Sequence, residues 1–137
     1  MTTKDSFEEG RERLNKDAFA RHLGIELTEM KEGYARATMK VTPQLLNGAG
    51  VTHGSAIFGL ADLVFAAASN SHGPVALGLN VNIHYLKATT SGALLTGIAR
   101  EENQTRKTGV YRMEITDDKG DLIALAEGLA YRPGTGK

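Results

Sequence analysis

Residues 55–70 read SAIFGLADLVFAAASN, and the fold turns on them. Ile57, Leu60, Ala61, Val64, Phe65 and Ala68 recur at spacings of mostly three and four, filling a wide apolar stripe. The rest of the run is nearly as apolar, which is the pattern of a core helix. At ~1.5 Å per residue such a helix is roughly 24 Å long. Ser69, Asn70, Ser71, His72, Gly73 and Pro74 follow as a dense cluster of stop residues. One carboxylate, Asp62, interrupts the apolar run.

On both sides of this helix the period changes to two. In YARATMKV (residues 34–41), Ala35, Ala37, Met39 and Val41 share one face; Tyr34, Arg36, Thr38 and Lys40 share the other. Lys31, Glu32 and Gly33 form the turn joining this strand to IELTEM, which makes a hairpin. After Pro74, the residues Val75, Leu77, Leu79, Val81, Ile83 and Tyr85 alternate with Gly78, Asn80, Asn82 and His84. ALLTGIARE, KTGVYRMEIT and LIALAEGLAYR are three further strands, with DDKGD as the last turn. Toward the N-terminus, Phe7, Leu14, Ala18 and Phe19 suggest a surface helix over 6–22, broken at Gly10 and restarted near Asp17. The expected organisation is an N-terminal helical segment (1–22), one domain (23–133) and a frayed tail (134–137).

One long helix with five or six strands cannot make a doubly wound sheet, which needs alternating strand and helix. The expected class is α+β, a curved antiparallel sheet wrapped around one central helix. Helix and sheet keep surplus apolar surface, and small residues such as Ala35 and Ala37 invite another layer. An obligate oligomer is therefore expected.

Composition narrows the function. Sixteen basic and sixteen acidic residues cancel, giving no basic footprint for nucleic acid and no polybasic surface for membranes. With no cysteine, thiolate nucleophiles, thiolate metal sites and disulfides are excluded. His22, His53, His72 and His84 have no close ligand spacing, so no metal site is expected. The polar first residues carry no signal-like apolar core, and no apolar run reaches the ~18–20 residues that span a bilayer. A cytoplasmic protein is the expectation.

Asp62 poses the chemical question. An ionised carboxylate on a buried helix costs several kcal/mol unless it is paired or solvated. Its helical neighbours, Phe58, Gly59, Phe65 and Ala66, offer no partner. The plain alternative is that Asp62 caps a loop; otherwise its partner comes from elsewhere in the fold or from another subunit. His53-Gly54 stands where the helix begins, among N–H groups without intrahelical partners. An N–H beside glycine is open to a ligand carbonyl, and Ser55 is suited to satisfy one of the other donors. Asn47-Gly48 alone is a common turn dipeptide. Together, a carboxylate, an open helix-start N–H and a loop amide are the components of acyl hydrolysis.

The segment NGAGVTHGSAIFGLADLVFAAASN (residues 47–70) closely resembles the signature of hotdog-fold acyl-CoA thioesterases of the PaaI (phenylacetic acid degradation) type. That pattern is Asn, six positions to His-Gly-Gly, then Asp within the helix; here it reads Asn47, His53-Gly54, Asp62. The likeness runs over about residues 22–132 and includes KTGVY. It implies hydrolysis of an acyl-CoA thioester, with Asp62 as general base or nucleophile and the Gly54 N–H as oxyanion donor. It implies further that Asn47 orients the water or carboxylate and that His53 holds the loop. No cofactor is implied, coenzyme A being part of the substrate. Helices of two subunits would lie side by side with merged sheets, so that Asp62 of one protomer meets Asn47, His53 and Gly54 of its mate. Two such dimers commonly make a tetramer.

This sequence departs from the family at Ser55, where a second glycine is usual, which bears on the width of the acyl pocket. Arg106, Lys107 and Thr108 resemble the place where relatives meet the CoA phosphates, a role that suits basic side chains; otherwise they decorate a solvated hairpin. Asn80, Asn82 and His84 either line a polar side of the site, with Asn82 the candidate for substrate contact, or face solvent. Two other readings differ in class. A non-catalytic acyl-CoA-binding hotdog module would retain ligand without turnover. A hotdog dehydratase would need a differently spaced catalytic His with Glu or Asp.

Overall fold

The computed structural model describes residues 3–134. The two N-terminal helices are α1 (Thr3–Asn15) and α2 (Ala18–His22), followed by strands β1 (Ile25–Lys31) and β2 (Tyr34–Lys40). A short 3-10 turn at Pro43–Leu45 leads to the long helix α3 (Gly54–Ser69). Strands β3 (Leu77–Tyr85), β4 (Leu94–Gln104), β5 (Thr108–Thr116) and β6 (Leu122–Tyr131) complete the chain. Every strand pair is antiparallel, and the sheet order is β1-β2-β4-β5-β6-β3. The sheet wraps α3, as the pattern of residues 55–70 predicts. Ile57, Leu60, Ala61, Val64, Phe65 and Ala68 are all buried beneath it, as are Ala35, Ala37 and Met39 from β2 and Val41 just after it.

The uncovered side of α3 corrects the expectation of a helix apolar and buried all round. Ser55 and Asp62 are exposed, and Phe58, Gly59 and Ala66 are half-buried. These positions recur at three and four, so they form one open stripe with Asp62 near its middle. Ala35 and Ala37 invite no further layer either; their layer is the chain's own α3, which packs on β2, β4 and β5. Small residues there let helix and sheet approach closely.

Gly10 does not break α1, which runs through it. An alanine Cβ at that point would lie 2.1 Å from the carbonyl oxygen of Asn70. The glycine is therefore a contact point, where α1 crosses the end of α3. Arg13 reinforces the crossing by donating to Asn70 Oδ1 (2.9 Å) and to the Gly73 carbonyl (2.6 Å). The helix does restart as expected, with Asp17 capping α2 by accepting from the Ala20 N–H at 2.9 Å.

Strand β3 is an edge strand. Its register against β6 slips between Gly78 and Asn80, and this bulge shifts the alternation by one residue. Gly78 thus faces the helix, its missing Cβ leaving room for Phe65 Cε2 at 3.0 Å. Leu77 lies on the outer face, opposite Tyr131. The sequence pattern places these two the other way round. Leu77 and Leu79 are 55% and 61% exposed. Surplus apolar surface and an unpaired strand edge thus coincide on β3.

Candidate functional site

The loop between β2 and α3 is held by its own polar groups and by the segment around Thr89. Asn47 accepts two backbone N–H bonds at Oδ1, from Ala49 (2.9 Å) and Val51 (3.2 Å). Its backbone N–H donates to the Val51 carbonyl, and its carbonyl accepts from Gly50, which sits at φ +83°. Thr52 ties the loop to residue 89 through a backbone bond of 2.8 Å and a hydroxyl pair at 2.7 Å. The amide Nδ2 of Asn47 makes no hydrogen bond among the described residues, so a donor is left pointing outward from a fixed loop.

His53, not Ser55, caps α3. Its backbone is extended (φ −63°, ψ 134°) and its Nδ1 accepts from the Ser55 N–H at 3.0 Å. Ser55 is therefore inside the helix, with its side chain exposed beside His53, Phe19, Leu23 and Leu46 in a cleft of ≈ 250 Å³. An accepting Nδ1 leaves the proton of neutral His53 on Nε2. Imidazole takes over here the work that a short polar side chain performs at most helix starts. His53→Ala is expected to cost about 1 kcal/mol, read as a lowered melting temperature at fixed protein concentration.

With Ser55 satisfied by His53, the N–H of Gly54 stands alone: among the described residues it donates to nothing. Gly54 is absent from the residues at positive φ, so backbone conformation does not require glycine there. An added Cβ would lie 3.3 Å from Tyr85 Cζ, so the ring would have to give by a few tenths of an ångström. Gly54, Asn47, Tyr85, Ile57 and Leu86 line one cleft of ≈ 390 Å³.

Asp62 lies eight residues along the same helix, which at ~1.5 Å per residue is about 12 Å from Gly54 along the axis. No ion pair or hydrogen bond to its carboxylate is recorded among the described residues, and its side chain is exposed on the open stripe. Although the side chain reaches solvent, neighbouring atoms desolvate the carboxylate in part and raise its pKa above the ordinary 3.8, and the charge of Asp17 raises it further.

The remaining candidates lie elsewhere. Arg106 and Lys107 are exposed at the β4–β5 hairpin tip, and half-buried Thr108 opens β5, joined to Thr105 through hydroxyl oxygens 2.7 Å apart. Thr108 pairs with Tyr131, which pairs with Leu77 at the start of β3; Tyr85 is at its other end. At ~3.3 Å per residue the tip is therefore more than 20 Å from the Gly54 cleft of its own chain. Asn82 faces away from α3, opposite Glu127, and shares an outer-face cleft with His84, Arg112 and Leu125. The chain does not bring it to Gly54 or Asp62. Tyr85, by contrast, meets the site although sequence patterning marks it only as an apolar-face residue.

A family model described as the thioesterase superfamily matches residues 49–124. The chain belongs to this superfamily and is a thioester hydrolase of the hotdog fold. It is similar to the Escherichia coli acyl-coenzyme A thioesterase PaaI, with 42% identity over 118 residues, 86% of this chain and 84% of that protein. The solved structure of E. coli PaaI superposes with a TM-score of 0.91, at 36% identity, across 98% of this chain and 97% of that one. An Archaeoglobus fulgidus protein is 50% identical over 110 residues, covering 80% of this chain and 71% of its own. A hypothetical thioesterase of Streptococcus pneumoniae, solved with coenzyme A, has a TM-score of 0.84 at 28% identity. That match covers 92% of this chain and 98% of the other. Among the described residues no helix is long and apolar enough to cross a membrane.

Proposed function

We propose that this protein hydrolyses an acyl-CoA thioester to the free acid and CoA, at sites shared between two copies of the chain. The observation that carries this reading is the unengaged Gly54 N–H at the start of the same helix that holds partner-less Asp62. One carbonyl cannot touch both in one chain, since about 12 Å separates them along the axis. A second α3 lying antiparallel alongside would bring each Asp62 toward the partner's Gly54. The bare edge of β3 is where the second sheet joins.

In this reading the thioester carbonyl oxygen accepts from the Gly54 N–H, whose hydrogen bond strengthens as negative charge develops on that oxygen. Asp62 of the other protomer removes a proton from water, which Asn47 Nδ2 orients, and the water oxygen bonds to the carbonyl carbon. Collapse of the tetrahedral intermediate breaks the C–S bond, and the CoA sulfur takes up the proton held by Asp62. Direct attack by Asp62 through an anhydride balances equally well. His53 acts by fixing the loop and aiming the N–H of Gly54.

Joined antiparallel at β3, one chain's hairpin tip comes near the other's Tyr85 end, so Arg106 and Lys107 face the CoA phosphates across the interface. Ser55 narrows the neighbouring acyl space. Support for CoA as the carrier comes from PaaI and from the S. pneumoniae relative solved with coenzyme A. A panel of CoA thioesters assayed for free-thiol release tests the reading, with Asp62→Asn as the control. Tight binding without thiol release across the panel would instead favour a non-catalytic acyl-CoA module.

A further inference from the structure

We propose that Tyr85 is the substrate-positioning wall of this site: its ring is the surface against which the thioester lies when its carbonyl oxygen reaches the Gly54 N–H. The inference rests on the thioesterase reading and adds a residue to it.

The geometry is local and specific. The position of an absent Gly54 Cβ is 3.3 Å from Cζ, 3.5 Å from the hydroxyl and 3.6 Å from Cε1 of Tyr85. The ring edge therefore lies in contact range of the helix start, beside the one N–H there without an acceptor. Tyr85 is the last residue of β3, on the face turned toward α3, opposite Ala124. The following backbone is pinned, since the N–H groups of Leu86 and Lys87 both donate to the Ile123 carbonyl, at 2.8 and 3.3 Å. The ring is thus carried on a fixed strand end rather than on a free loop.

Tyr85 does little for its own chain. Its hydroxyl makes no hydrogen bond and its ring has no aromatic or cationic partner among the described residues, and it is 51% exposed. A half-exposed ring with no structural partner, set against an unengaged donor, is suited to a ligand. The cleft beyond it is lined mainly by Val51, Ile57, Leu86 and Ala88. Lys87 also lines the cleft, with its ammonium group paired to Asp117 and Asp121 on the β5–β6 hairpin. The flat ring beside the Gly54 N–H limits the directions from which a carbonyl oxygen can approach that donor.

Glycine at position 54 leaves the ring undisplaced. A methyl group there would press on the ring at a separation where one of them must move. Glycine and tyrosine together set the width of the slot through which the thioester reaches the N–H.

The test is steady-state kinetics on purified Tyr85→Phe and Tyr85→Ala, beside the parent enzyme and Asp62→Asn, with solution mass checked for each. Because the ring does the positioning, Tyr85→Phe is expected to stay within about threefold of the parent in kcat, while Tyr85→Ala loses about tenfold or more, with a smaller change in KM. Should Tyr85→Ala fail to assemble, Tyr85→Leu, which keeps bulk but not flatness, is expected to show the same loss of kcat. A parent that turns over, with Tyr85→Ala or Tyr85→Leu matching it, overturns the Tyr85 assignment alone. Equal losses in Tyr85→Phe and Tyr85→Ala overturn it too, by making the hydroxyl the working group. A parent that releases thiol from no CoA ester overturns both this inference and the function beneath it.

Discussion

Asp62→Asn is expected to lower kcat/KM by at least ~100-fold, the lower end of what a positioned general base contributes, while the protein stays folded and assembled. The substitution keeps shape and removes only the capacity to take a proton or attack. The pH behaviour follows from the direction of the pKa shift. Burial, then the charge of Asp17, raises the folded-state pKa of Asp62 above 3.8. Between the unfolded and folded values the folded chain binds more protons, so this group's contribution to stability falls as pH rises through that window. Asp62→Asn removes that cost, and at pH 7 the variant is expected to melt no lower than the parent. Thermal denaturation and thiol release on the same samples check both halves. The acid limb of the parent's kcat/KM profile should lie above pH 3.8, and Asp17→Asn should move it down by removing a like charge. Parent-like turnover by Asp62→Asn would falsify the mechanism.

Much of this was legible because the strongest patterns in the chain are also its core. The apolar period of residues 55–70 specifies a buried helix, and the alternation from Tyr34 to Val41 specifies a strand with its apolar face inward. What escaped depends on contacts between elements far apart in sequence. Gly10 reads as a breaker until Asn70 stands 2.1 Å from its missing Cβ. Leu77 and Gly78 exchange faces because of a bulge that leaves no mark in an alternating run. At the helix start, serine is the residue type that capping preferences favour, yet the neighbouring imidazole reaches the donor first. Of the candidate site, Asn47, Gly54 and Asp62 are marked by their chemistry together with the resemblance to the PaaI-type signature. Tyr85 is not, since nothing within its own strand reports that it ends beside Gly54. Asn82, by contrast, points away from α3 as its alternation with Val81 and Ile83 predicts.

The proposed sharing of the site between two chains makes a second large effect follow from a residue that touches no substrate. Leu79→Lys is expected to yield a species near the 14.7 kDa of one chain and to lower thiol release as far as Asp62→Asn does, about 100-fold. Leu79 is 61% exposed at the bulge of an edge strand, where burying a leucine fully is worth roughly 1.5–3 kcal/mol. A lysine there loses that gain on association and must also shed its hydration. Edge lysines are the device by which sheets resist pairing with other chains. The substitution leaves the chain's own core untouched, because Val64, Phe65 and Ile123 are already buried without a partner. The monomer should therefore keep its circular dichroism while losing activity. Each chain would still own an intact Gly54 N–H and an intact Asp62, held about 12 Å apart along one helix with nothing to bridge them. Sedimentation and thiol release measured together decide the matter: a folded monomer with full turnover would mean that one chain completes its own site.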